Sequence, residues 1–359
     1  MQQLGLALIG AGRPNIATQN HLPALAHVPQ ARLLALHDVD EAGVREYAAQ
    51  YGAEAYTDLG AMLSREDVDA VIIASPDQFH AEHTVQVARA GKHILCQKPL
   101  ALSLDEAAAM RKAIVEAGVL FSAVQSLRYE AGPRKTKELI LAGEIGEPLY
   151  ASYSVKGRFF SYPEGSFYRK AESRGQFLHN GPHYADLLAW LMDSLPCRVY
   201  GQSLAHYPTE DRLETDNYTL CALDFENGGF GRIEQNLTML DPPGFPQRDE
   251  TRIIGTTGTI AYGTGVNACV EVFAGGVTQT LQPVGVTPEE MPFVLLTQDF
   301  VQAALGEQPP AVSMEWSFRV LEACLGTLES CRTGEPVRLG TASDCRAGAC
   351  IPPSDEGRR

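Results

Sequence analysis

The chain has 359 residues, 45% of them hydrophobic and 20% charged, which excludes a disordered or fibrous polymer and allows two domains with separate cores. Its 29 basic and 44 acidic side chains leave a formal charge of -15, and with no Lys/Arg run to override it, nucleic-acid and anionic-membrane partners are not expected. Eight cysteines without CxxC spacing read as buried hydrophobes or free thiols, so a reducing, cytoplasmic setting is expected. The apolar start at Leu4 lacks the basic flank of a signal peptide, and no apolar run is long enough to span a bilayer.

Residues 4–9 form a continuous apolar run that predicts a buried parallel strand, and Gly10-Ala11-Gly12 follows as the tight turn of a nucleotide-binding fingerprint. The usual third glycine is absent. Arg13, Pro14 and Asn15 precede Ile16-Ala17, so the turn is read with two extra residues, with Asn15 capping the next helix. The second strand, 31–36, leads to His37-Asp38, where an acidic side chain suits an adenosine ribose 2'-hydroxyl and repels a 2'-phosphate. NAD is therefore favoured over NADP, the competing reading of Asp38 being a helix N-cap alone. Helices at 41–51, 58–64, 79–90 and 103–117 alternate with strands at 70–74, 93–96 and 120–124, the rhythm of βαβ winding. Ser75, Pro76 and Asp77 follow a strand and are expected at the cofactor, with His80 one turn further on and adjacent to it. Lys98, in front of Pro99 at the carboxyl end of the strand 93–96, is placed for chemistry in the crevice where ligands bind in open parallel sheets.

Residues 125–129, with Arg128, lead out of this first domain, and a helix is predicted over 137–145. Strand-like runs then dominate, at 150–155, 217–225, 229–237, 251–254, 259–262, 269–273 and 277–281, and the turn at 226–229 indicates an antiparallel sheet. Two late helices, 297–305 and 315–331, pack back on the body. The expected fold is α/β plus α+β: an N-terminal Rossmann doubly wound parallel sheet (1–126) and a C-terminal open, mainly antiparallel β-sheet domain (127–340), followed by a loose tail (341–359). Within 175–191, His179, His183 and Asp186 recur at helical spacing and share a face. Two histidines at that spacing also suit zinc, with Asp186 nearly in line, but the preferred reading has no metal. The loop before them supplies Arg158, Phe159, Phe160, Tyr162, Tyr168 and Arg169, aromatic faces and donors that suit a polyol.

Ile72-Ile73-Ala74-Ser75-Pro76-Asp77-Gln78-Phe79-His80 and Ala90-Gly91-Lys92-His93-Ile94-Leu95-Cys96-Gln97-Lys98-Pro99-Leu100 resemble the signature of the glucose-fructose oxidoreductase/inositol dehydrogenase/rhizopine catabolism protein MocA family. The resemblance continues through Gly143-Glu144-Ile145-Gly146, and Tyr168-Arg169 resembles the family's Trp-Arg pair. It implies an NAD-dependent oxidoreductase acting on a secondary alcohol of a sugar, cyclitol or sugar derivative, with oligomerisation through the second domain's sheet as a homodimer or homotetramer. The residue reading and the resemblance together place cofactor contacts at Gly10, Gly12, Arg13, Asn15, Ile16, Asp38, Ser75, Pro76, Asp77, His80, Gln97 and Lys98. Substrate contacts fall to Arg128, Arg158, Tyr162, Tyr168, Arg169, His179 and His183. By the same analogy Lys98 holds the reacting hydroxyl, His183 is the base, and Pro99 follows a cis bond.

Two motif positions depart from the family. Gln97 stands where a glutamate is usual and, since neighbouring strand residues face opposite sides, the change falls on the support of Lys98. His179 replaces the aspartate of a D-x-x-x-H pattern; losing a negative charge beside His183 predicts an alkaline-shifted requirement or a switch of base to His179. The alternative reading is a nucleotide-bound sensor that keeps the fold and has lost the chemistry.

Overall fold

The computed structural model describes residues 2–158, 162–207, 210, 212–239, 249–263, 269–281 and 287–340. Phe159, Phe160, the side chain of Arg158 and the tail from Thr341 lie outside the described residues. By contacts the chain divides into two units, Met1–Ala131 with Val284–Leu321, and Gly132–Pro283 with Glu322–Arg359. The stretch 284–321 thus clusters with the first unit, where the contiguous reading of the sequence had put it in the second domain.

The first unit runs β1 (Leu4–Ile9), a π-helical turn (Ala17–His21) into α1 (Leu22–Leu25), β2 (Ala31–His37), α2 (Glu41–Tyr51), β3 (Glu54–Tyr56), α3 (Leu59–Leu63), β4 (Ala70–Ile73), α4 (His80–Arg89), β5 (His93–Cys96), α5 (Leu104–Ala117) and β6 (Phe121–Ala123). All six strands pair in parallel in the order β3-β2-β1-β4-β5-β6. Every residue of β1 and β4 is buried, the outcome expected of uninterrupted apolar runs covered on both faces. The connecting helices carry clear stop and start signals. Asp40 caps α2 at the Gly43 N–H and Gly52 ends it in the left-handed region; Ser103 and Gly118 do the same for α5. Strand order reverses between β1 and β4, so the crevice beyond their carboxyl ends is the ligand position in a sheet of this kind.

The late segment joins this unit for a physical reason. Helix α8 (Pro292–Ala304) buries Val294, Leu296, Phe300 and Val301 in one apolar cluster with Leu6, Leu8, Leu22, Leu36 and Ile72. Nearby, Tyr129 Oη donates to Asp299 Oδ2 at 2.7 Å.

The second unit comprises α6 (Ala131–Leu141), β7 (Pro148–Arg158), α7 (Gly175–Met192), β8 (Pro196–Leu204), β9 (Tyr218–Phe225), β10 (Phe230–Met239), β11 (Glu250–Gly255), β12 (Gly258–Gly263), β13 (Val270–Ala274) and β14 (Val277–Leu281). Helix α9 (Met314–Thr333) and β15 (Val337–Arg338) follow α8. Among the described residues nine strands pair in the order β14-β13-β12-β11-β7-β10-β9-β8-β15, and only the β7–β10 pair is parallel. The mainly antiparallel expectation holds. One face of this sheet packs α7 on β7, β9 and β10 and buries Ala151, Tyr153, Ile233, Cys221 and Ile253. Alternation puts Phe230, Ile254 and Phe273 on the opposite face, exposed, among Arg198, Asp224, Arg232 and Arg252. Among the described residues no helix is long and apolar enough to cross a membrane.

Candidate functional site

The first unit builds a dinucleotide turn whose glycines are required by close approach. A Cβ on Gly10, which has φ 103°, would lie 2.4 Å from Ala74 O, and one on Gly12 would lie 2.6 Å from Asp38 Oδ1. The Gly12 N–H donates to Asp38 Oδ2 at 2.8 Å, and the Asp40 N–H donates to Oδ1 at 3.0 Å. Asp38 is therefore pinned at the end of β2 with one backbone donor on each oxygen, leaving lone pairs for two further donors such as ribose hydroxyls. Gly43 in α2 was not anticipated from the sequence. A Cβ there would meet Gly12 O at 1.7 Å, so this glycine lets the helix touch the turn.

Asn15 has the capping role expected of it. Its Oδ1 accepts from the Ala17 and Thr18 N–H groups at 2.9 and 3.3 Å, while Nδ2 donates back to Gly10 O at 2.8 Å. It braces the turn from inside, whereas Arg13 and Ile16 are exposed on it. The observed loop thus fits a dinucleotide: a cradle that Cβ atoms would fill, an oriented acid, and an exposed cation for a phosphate. His37, next to Asp38, is buried, and its Nδ1 has no hydrogen-bond partner among the described residues.

At the end of β4, Ser75 Oγ and His83 Nδ1 lie 2.8 Å apart. Burial, followed by the charges of His37 and His80, holds His83 down at about 4, so it is neutral in the working range. The sequence reading missed His83, because a second histidine on a helix carries no pattern of its own. His80 was expected beside the cofactor. Instead it is 1% exposed, with Nδ1 2.6 Å from Pro99 O and Nε2 2.7 Å from Ser75 O, so the ring ties the ends of β4 and β5 together and both nitrogens are committed to backbone.

Lys98 follows β5, half-buried, and its peptide bond to Pro99 is cis as the resemblance implied. Burial pushes its ammonium down from 10.5 to about 8, with the nearby Asp77 carboxylate opposing part of that. Asp77 is itself buried, and Pro76 is exposed beside it. Gln97 turns away from this edge: 4% exposed, it directs Nε2 at His21 Nε2 at 3.0 Å, which gives it a supporting contact in place of the expected cofactor contact. Arg128 is likewise engaged elsewhere. It is 5% exposed, lies over the Trp316 ring at 4.8 Å and donates to Ala311 O at 3.2 Å, so packing occupies the donors assigned to substrate.

In the second unit, α7 is buried around most of its circumference, and His179, Asn180, His183 and Tyr184 form its partly exposed stripe. Asp186, spaced to share their face, is instead fully buried. The stripe is where the sequence pattern put it; Asn180, between the histidines, was overlooked. Tyr168 meets the His179 ring edge-on at 5.0 Å and stacks with Tyr162 at 5.2 Å. Arg169 donates to Tyr162 O at 2.8 Å and to Arg212 O at 3.0 Å, so its guanidinium staples this aromatic loop where a substrate donor had been expected. Tyr184 stacks on Tyr153 at 4.6 Å, and Tyr153 Oη donates to Asp249 Oδ2 at 3.0 Å.

Residues 4–125 match the family described as "Oxidoreductase family, NAD-binding Rossmann fold", and residues 134–261 match the GFO/IDH/MocA C-terminal domain. Scyllo-inositol 2-dehydrogenase (NAD(+)) of Bacillus subtilis is 28% identical over 94% of this chain and 96% of its own length. The 2,7-anhydro-N-acetylneuraminate hydratase of Mediterraneibacter gnavus is 31% identical over 65% of this chain and 62% of its own. Among solved structures, levoglucosan dehydrogenase in complex with NADH and L-sorbose superposes with a TM-score of 0.82 at 21% identity, covering 95% of this chain and all of that one, a likeness of fold. With both of its domains matched in order and a turn built for a dinucleotide, the chain belongs to the GFO/IDH/MocA family of NAD-binding oxidoreductases.

Proposed function

We propose that the protein is an NAD-dependent dehydrogenase that oxidises a secondary alcohol of a sugar, cyclitol or sugar derivative. The observation that carries this reading is Lys98: a lysine at the carboxyl end of an interior strand, in the unit that holds the dinucleotide turn, with its ammonium pushed down to about 8. A surface lysine has no reason to be there, whereas a group that must hold a hydroxyl and release or share a proton near neutral pH does. NAD, when bound, supplies the hydride acceptor. Asp38 and the Gly10–Gly12 turn bind and orient the nucleotide, and the charge of Asp38 supports NAD over NADP. Lys98 Nζ donates to the reacting hydroxyl. His183, on the partly exposed stripe of α7, takes the hydroxyl proton, with His179 beside it on the same stripe as the alternative base. Tyr162 and Tyr168 offer ring faces to sugar C–H groups.

The named relatives are enzymes, which supports turnover over a sensor role, and the scyllo-inositol dehydrogenase supports a polyol substrate. We further propose that copies associate through the exposed face of the nine-stranded sheet, where Phe230, Ile254 and Phe273 are uncovered. Six described cysteines are free thiols, which supports a reducing, cytoplasmic location. The test is binding of NAD and NADP to purified protein, followed by nicotinamide reduction over a panel of cyclitols, aldoses and sugar acids. NAD-selective binding with turnover is expected. Because one relative is a hydratase, substrate loss is followed alongside NADH: conversion without net NADH would replace the dehydrogenase reading, and failure to bind either nucleotide would end it.

A further inference from the structure

His21 closes the π-helical turn that follows the dinucleotide loop. The Leu22 N–H donates to Ala17 O, five residues back, and the His21 ring is fully buried. Among the described residues, the Gln97 amide from the end of β5, 3.0 Å away, and the Phe293 ring from α8, perpendicular to it with centroids 4.9 Å apart at 88°, face this ring. Neither of them titrates. Burial alone pushes His21 down to about 3, so the ring is neutral across the working range and carries a single N–H.

The amide of Gln97 decides which nitrogen carries it. Gln97 Oε1 accepts from the Lys98 N–H at 3.3 Å, which leaves the amide nitrogen turned toward the ring. An amide nitrogen only donates, so His21 Nε2 must accept and the ring proton resides on Nδ1. That Nδ1 has no hydrogen-bond partner among the described residues. The reverse orientation would set the amide nitrogen against the Lys98 N–H, two donors facing each other.

We propose that His21 and Gln97 form an uncharged brace that positions Lys98, with His21 locked in its Nδ1-protonated neutral form to hold one end of the Gln97 amide while the other end holds the Lys98 backbone. Gln97 is a positioning residue, and its role rests on the reading of Lys98 as the group that holds the substrate hydroxyl. A glutamate of the same shape cannot donate to Nε2. It would force the His21 proton onto Nε2, or a second proton onto the ring, and would add a carboxylate beside Lys98, on which Asp77 already acts. The brace therefore links the first helical turn after the nucleotide loop to the catalytic lysine without placing another charge there.

Long-range proton–nitrogen spectra of the full-length apoprotein, with His21 assigned through His21→Gln, test this directly. The Nδ1-protonated neutral signature is expected to persist unchanged between about pH 5 and 9. An imidazolium or Nε2-protonated signature overturns the brace. In Gln97→Glu the His21 proton is expected to move to Nε2 or the ring to become doubly protonated, and the Lys98 side-chain signal to titrate at higher pH than in the wild type. An unmoved tautomer with an unmoved Lys98 midpoint overturns the proposal. In the same variant NAD affinity is expected within about twofold of wild type while kcat at neutral pH falls about tenfold, the signature of a misplaced reacting group. If Gln97→Glu fails to fold, the wild-type spectrum decides. These spectra need no turnover, so a protein inactive on every alcohol would remove the dehydrogenase reading and leave the brace standing.

Discussion

Replacing Lys98 by methionine should make the protein more stable and inactive at once. In the folded chain burial brings the Lys98 ammonium from 10.5 to about 8. At about 1.4 kcal/mol for each tenfold, that difference amounts to about 3 kcal/mol, an upper figure because Lys98 retains partial solvent contact. The sign follows from the proton count. Below pH 8 both folded and unfolded chains hold the proton, and the folded state carries the whole penalty. Between about 8 and 10.5 the unfolded chain binds more protons, so wild-type stability rises with pH, and above 10.5 the penalty is gone. Lys98→Met, similar in length and uncharged, removes the penalty at every pH. Urea-unfolding midpoints should therefore favour the variant by up to about 3 kcal/mol at pH 7, and the two proteins should converge as pH approaches 10.5. NAD should still bind, while turnover falls at least about a hundredfold. A stability difference that stayed constant from pH 7 to about 10 would refute the argument, since no titrating group would then lie behind it.

Asp38→Ala leaves the Gly12 and Asp40 N–H groups without their acceptor and removes the charge facing the ribose. Loss of one charge-assisted hydrogen bond of about 2 kcal/mol predicts NAD binding weakened roughly thirtyfold, with NADP weakened much less; titration calorimetry giving an unchanged NAD/NADP ratio would remove Asp38 from specificity. Gly43→Ala places a methyl 1.7 Å from Gly12 O, a backbone atom that cannot rotate aside. A loss of about 2 kcal/mol or more in stability, together with weaker NAD binding, is expected, and a variant melting and binding like wild type would show that α2 yields freely.

The inner strands of the first unit were legible because they are buried on both faces, whereas β3, exposed or half-buried throughout, went unpredicted. A strand such as β1 needs only an unbroken apolar run, and α2 was bounded at Glu41–Tyr51 by Asp40 ahead of it and Gly52 behind. Strand β8 escaped notice because its apolar residues alternate with Arg198, Tyr200 and Gln202 on the open face and a proline begins it. Helix α6 runs Ala131–Leu141 where 137–145 had been predicted: the stretch after Leu141 closes instead through Gly143 and Gly146, both at positive φ. Side-chain roles were less legible than elements. Arg128 and Arg169 have the chemistry of substrate donors, and only the folded chain reveals that carbonyl oxygens already hold them. The pairing of His21 with Gln97 spans 76 positions and follows no periodicity.

What the structure adds about Lys98 is how its backbone is held. On one side the Gln97 amide oxygen accepts from the Lys98 N–H; on the other, His80 Nδ1 lies 2.6 Å from the carbonyl of Pro99, the next residue, so buried side chains anchor the backbone at the lysine and just beyond it. A four-carbon side chain is the most entropically costly kind to order, and fixing its root reduces what remains to be lost when a hydroxyl arrives. Rigid anchorage of the backbone around the Cα serves that end, and it explains why residues from the ends of β4 and β5, from α4 and from the first turn after the nucleotide loop converge on one dipeptide. The same arrangement predicts where changes will be felt: losing Nζ ends the chemistry, whereas loosening His80 or Gln97 should lower kcat while leaving nucleotide binding close to intact.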